Sequence, residues 1–149
     1  MKIKIRQSPA SSGEVSRQQF SPTSPEEISF PGPNLIAGKQ YEVIAAEFFT
    51  NAPHAIFWVL GENFEERKND GLIYPDSVVA TDCDVVESSL PADWHLAINH
   101  YQPAQTRTFV GPSVLCKKAF LEQLVDGNVF REHEFLKYLS SSEKFNVSK

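Results

Sequence analysis

Two cysteines in 149 residues, Cys83 and Cys116, are too few for a disulfide framework or a zinc ribbon. They read as two buried thiols acting as small hydrophobes, one in a strand and one on the apolar face of a helix. Long hydrophobic runs are also missing: no stretch approaches the roughly 20 apolar residues of a membrane span. The opening MKIKIRQSPASSG is basic but lacks the apolar segment of a secretory signal, so a cytoplasmic protein is expected. Glycines are few and isolated, and they form neither a P-loop nor a dinucleotide fingerprint. Basic charge is in deficit: 14 Lys and Arg stand against 19 Asp and Glu, a net charge of −5. That balance opposes binding to a phosphate backbone and suits a basic protein partner. His54-x-x-x-Trp58 and Asp82-Cys83-Asp84 match neither zinc nor calcium loops, and neither metal nor cofactor is expected.

What is present is enough for one ordinary domain with a real core: 41% hydrophobic residues and 11 Phe. Residues 1–34 read as a Pro/Ser-rich N-terminal arm, in which only Lys2-Ile3-Lys4-Ile5 alternates as a strand does. Residues 35–149 read as the folded domain. Tyr41 to Phe49 suits a half-buried strand, and Ala55 to Leu60 a central one. The polar segment 61–71 reads as a hairpin loop, and Leu72-Ile73-Tyr74-Pro75 as a strand edge or bend. Short strands at Val78-Val79-Ala80, Val85-Val86, His95 to Ile98 and Thr106 to Val110 complete an antiparallel meander that is expected to curl closed.

After Gly111-Pro112 the period changes. Ser113 reads as an N-cap, Cys116, Ala119, Phe120 and Leu124 share one face, and Asp126-Gly127 ends the helix. A second helix begins at Asn128 or Arg131 and carries Phe135, Leu136 and Leu139. The expected fold is therefore α+β: a small twisted antiparallel barrel of five or six strands with C-terminal helices.

Several short patterns recur together: L-x-x-G-K-x-Y-x-V from Leu35 to Val43, Tyr74-Pro75, the Pro turn before Trp94, Leu124-x-Asp126-Gly127, and Arg131-Glu132-x-x-Phe135-x-Lys137-Tyr138. With them, residues 35–140 resemble small bacterial immunity proteins with an SH3-like barrel, found in polymorphic-toxin and contact-dependent-inhibition loci. The resemblance implies a cytoplasmic protein that neutralises a cognate toxin, a basic protein such as a nuclease, by direct association. It carries over no functional residue, because its motifs are turn glycines, core aromatics and a helix cap.

Two acidic groups are the candidates for such docking. Glu62, Glu65, Glu66 and Asp70 lie in the 61–71 loop; Asp76, Asp82, Asp84 and Glu87 lie in a stretch with no Lys or Arg between Gly71 and Thr106. The ordinary reading of either group is a solvated face; the functional one is a negative surface that meets a basic partner. Phe64 and Phe130 are candidate exposed anchors, with packing back onto the barrel expected for both, and Trp58 and Trp94 read as core. No catalytic constellation is evident, and no enzyme is expected. The rival reading is a small enzyme or ligand-binding domain using Cys83, His95 and His100 at the barrel mouth.

Overall fold

A computed structural model of the chain describes residues 1–8, 34–50, 54–101 and 105–142. Its centre is β2 (Gln40–Phe49), ten residues dense in aromatic and aliphatic side chains. Antiparallel to β2 run β1 (Lys2–Ile5) at its start, and β3 (Ile56–Val59) and β7 (Gln105–Pro112) further along. β3 and β7 both pair with Ala46 and Glu47, so they occupy opposite edges of β2. β4 (Asp76–Val79) extends the sheet beyond β3, β5 (Cys83–Glu87) beyond β1, and β6 (Trp94–Tyr101) beyond β7.

The two faces of this sheet bury different cores. A bulge between Val43 and Ala45 in the pairing with β3 breaks the alternation, so Tyr41, Val43 and Ala46 enter one core while Ile44 and Ala45 enter the other. The first core gathers Ile3, Ile5, Phe57, Val59, Val78 and Cys83. The second lies under the helices and gathers Phe64, Phe109, Leu115, Phe120, Leu124 and Phe135. Trp94 packs at the margin of the first and Trp58 at the margin of the second, both only partly buried.

Three α-helices are described: α1 (Phe64–Asn69), α2 (Phe120–Val125) and α3 (Val129–Ser141). The expected 61–71 hairpin loop therefore holds a helix turn, whose Phe64 meets Phe135 of α3 edge-on, with ring centroids 6.3 Å apart. Residues 72–75 form no strand, and pairing starts only after Pro75, which supplies no N–H for a ladder. Nor does Ser113 cap a helix. Residues 113–119 turn, Ala119 takes a left-handed φ of 56°, and α2 starts at Phe120. Cys116 lies in that turn rather than on a helix face.

The architecture is α+β with an antiparallel sheet. Among the described residues it does not close into a barrel: β4, β5 and β6 each keep an unpaired edge. The assignment of residues 1–34 to an arm also needs correction at its start, because β1 is bonded on both sides and Ile3 and Ile5 are fully buried. Residues 9–33, the remainder of that arm, lie outside the described residues. No helix of the described residues is long and apolar enough to cross a membrane.

Candidate interaction surface

Most of the carboxylates singled out in the sequence already have partners within the chain. Asp76 is the least available: with its side chain largely buried, it accepts hydrogen bonds from Asn34 Nδ2 (2.7 Å), the Gly61 N–H (3.0 Å) and Arg67 (2.6 Å). It fastens α1 to the sheet and does not face a partner. Asp82 is buried. Asp84 pairs with Arg6, and Glu87 with Lys2. Glu62 binds Lys39 and the Tyr41 hydroxyl, which hold its carboxyl below the usual range, and Glu65 pairs with Lys68. Glu66 and Asp70, both exposed, show no ion pair among the described residues. The expected continuous acidic face is thus largely neutralised by basic residues that lie outside that run of sequence.

Cys83, His95 and His100 are not assembled. Cys83 lies opposite Ile5 in β5, with Sγ 3.5 Å from the Ala80 carbonyl, and burial and the flanking aspartates push its thiol up to about 12. Cys116 lies 3.6 Å from the His95 carbonyl and is likewise shifted upward by burial. Thiolates are the nucleophilic form, and both sites oppose them. The exposed His100 ring lies 3.2 Å from the Thr106 hydroxyl, with no other hydrogen-bond partner among the described residues. One small cleft of about 30 Å³, lined by Glu42, Pro91, Trp94 and Tyr138, has room for a water.

The main titratable cluster was not anticipated from the sequence. Glu47 of β2 is 2% exposed and accepts from Trp58 Nε1 at 3.2 Å. Its other oxygen lies 3.5 Å from Arg107, which also pairs tightly with Glu122 of α2. Tyr101 stacks on that guanidinium at 4.3 Å, and its hydroxyl accepts the Ala119 N–H. Burial first, then the Glu122 carboxylate, push Glu47 up to about 7 against the opposing pull of Arg107. Burial beside a second carboxylate disfavours the ionised form of Glu47. The cluster can hold a proton near neutrality, and it joins helix α2 to the sheet.

The feature that faces outward is the α2–α3 corner. Gly127, at φ 75°, ends α2, and backbone bonds from Gly127 to Leu124 and from Asn128 to Gln123 close the turn tightly. On either side of it Val125, Val129 and Phe130 are exposed, Phe130 at 67%. Arg131 supports the Phe130 ring from 5.8 Å while it binds Gln123 and Glu134. Asp126 in the turn and Glu132 in the first turn of α3 show no ion pair among the described residues. Comparison of the chain with protein-family models, curated proteins and solved structures returned no match.

Phe130 was expected to fold back onto the sheet, and the structure overturns that expectation. The signal was present in the sequence. Phe135 and Leu139 mark the apolar stripe of α3, and Phe130 falls out of phase with it, on the side of His133, Glu134 and Lys137.

Proposed function

We propose that the chain is a protein-binding domain, an immunity protein that neutralises a cognate bacterial toxin by direct association in the cytoplasm, on an open variant of the SH3-like sheet. The observation that supports it is the α2–α3 corner: an aromatic side chain 67% exposed, accompanied by the exposed Val125 and Val129 and by the exposed carboxylate of Asp126 in the turn between the helices. Exposed aromatics are the commonest anchors of protein interfaces, and carboxylates with no internal partner steer a basic protein toward them. A net charge of −5 acts in the same sense at longer range.

The reading predicts a toxin gene directly upstream, and it is tested by co-expressing the chain with that gene's product and by measuring binding of the purified pair; a neighbourhood with no toxin gene would count against it. Protection by the wild type is expected. Phe130→Ala should weaken binding about 30-fold, the equivalent of a 2 kcal/mol anchor. Its thermal stability should stay within about 0.5 kcal/mol of wild type, as for an ordinary surface substitution. Association should slow as salt rises. Absence of protection by the wild type would overturn the function; wild-type affinity in Phe130→Ala would move the site away from this corner.

A further inference from the structure

In the Glu47 cluster one guanidinium faces two carboxylates of unequal freedom. Glu47 lies opposite Ile56 of β3 and Phe109 of β7, so its backbone is held in the sheet on both sides and its buried side chain has no path to water. Glu122 belongs to α2, a helix of six residues, and its side chain is 31% exposed. One of its oxygens pairs with Arg107, and the other, Oε2, is buried with no hydrogen-bond partner. A buried oxygen without a partner carries a desolvation cost, which the side chain recovers by turning outward. Arg107 itself is fixed: the Phe49 and Tyr101 rings lie 5.1 and 4.3 Å from it, and its Nε donates to Gln105. The cluster is completed by the Trp58 N–H from β3, by Tyr101 from β6 and by Lys118, 5.2 Å from the Tyr101 ring.

Charge then decides the arrangement. With Glu47 protonated, Arg107 and Glu122 are one cation and one anion. Loss of that proton puts two anions on the same cation in a poorly solvated site. The strain is relieved by sending one carboxylate to water. Glu122 can go and Glu47 cannot, so Arg107 closes on Glu47 from its present 3.5 Å. The exchange falls near neutrality, because burial and the Glu122 carboxylate push Glu47 up to about 7.

We infer that Glu47, Arg107 and Glu122 form a proton-operated latch on α2, closed while Glu47 keeps its proton and Arg107 holds Glu122, and open once Glu47 ionises and Glu122 turns out to water. Phe120, Leu121 and Leu124 are buried in the second core, so opening loosens α2 without unfolding the sheet. Because α2 runs through Gly127 into the corner that carries Phe130, the latch also regulates that surface. This consequence rests on the docking site proposed above; the latch does not.

Amide hydrogen exchange of the full chain from about pH 5 to 8, corrected for the intrinsic rate at each pH, tests the latch. Protection of Gln123, Leu124 and Val125 should fall at least roughly tenfold with rising pH, relative to Ile5 and Val43, whose N–H groups bond to Lys39 and Met1 in the first-core half of the sheet. Glu47→Gln cannot ionise and should give a flat profile at the protected level. Glu122→Gln, at a part-exposed position that tolerates change if the first variant folds poorly, removes the competing carboxylate and should also give a flat profile. Carboxyl carbon shifts should then place Glu47 ionisation at lower pH in Glu122→Gln than in wild type. Parallel loss of protection in α2 and the first-core amides, a Glu47 carboxyl already ionised at about pH 5, or a fall that persists in both variants would each overturn the latch. Exchange needs no partner, so failure of the latch and failure of the immunity reading are separate results. Partner affinity should fall over the same range in wild type and not in Glu47→Gln; affinity indifferent to pH would overturn the link to the corner.

Discussion

At the scale of single residues, Glu47 is where sequence and energetics are most at odds. A carboxylate in an apolar strand is sustained by Trp58 and Arg107, yet Arg107 is shared with Glu122. Its folded pKa of about 7 lies above the ordinary 4.5, so the native state holds this proton more tightly than the unfolded chain does. The stability it contributes is complete below about pH 4.5 and is lost as pH rises through about 7. The whole excursion is of order 3 kcal/mol. Glu47→Gln keeps an acceptor for Trp58 and cannot ionise. Urea unfolding from pH 5 to 8 should therefore fall less steeply for this variant than for wild type, with the curves separating toward the alkaline side. Parallel curves would mean that Glu47 stays ionised throughout. The strand QYEVIAAEFF sets Glu47 between Ala46 and Phe48 in its apolar half, which marks that acid as unusual. Its partners Arg107 and Glu122 come from β7 and α2, and no local pattern connects the three.

Among the elements, strands with strong alternation or dense apolar content were legible: β1, β2, β3, β6 and β7 fall on the stretches expected. The helical segments were less so. α1 has six residues, too few for a periodic stripe, and it is held by the Asp76–Arg67 pair and by Phe64. Such a helix owes its existence to tertiary contacts rather than propensity. The start of α2 was misplaced because Ser113 is chemically a good cap, while the Tyr101 hydroxyl, from a distant strand, claims the Ala119 N–H. α3 is the reverse case, since its local signal and its structure agree: the Asn128 side chain accepts from the Arg131 N–H at 3.1 Å. Asn128→Ala removes that cap at an exposed site and should cost about 1 kcal/mol. The thermal midpoint should drop by about 2–4 °C for a domain of this size. An unchanged midpoint would show that packing of Phe135 alone fixes the helix start.

For the molecule as a whole, the decisive contacts are those between distant parts of the chain, and here the sequence was least informative. The alternation in Lys2–Ile5 was visible, but the Ser/Pro-rich residues after it argued for an arm, and nothing local showed that β2 and β5 needed a strand between them. β1 supplies it. Its backbone ties to Lys39 and, through Arg6, to Asp82, and Ile3 and Ile5 are both fully buried in the first core. Truncating one buried isoleucine to alanine typically costs about 2–5 kcal/mol. Deleting residues 1–6 removes two isoleucines together with the ladder on both sides of β1, and a domain's entire stability is only about 5–15 kcal/mol. The deletion should therefore abolish cooperative thermal unfolding, with near-ultraviolet circular dichroism lost already at 25 °C. It also strips Lys2 and Arg6 from Glu87 and Asp84, so the measurement belongs at both low and high salt. Rescue by salt would assign the loss to charge repulsion in an acidic chain. Persistence at high salt would assign it to the missing strand, which is the outcome expected. A cooperative transition within a few degrees of the full-length chain would show that β2 and β5 hold the first core without β1.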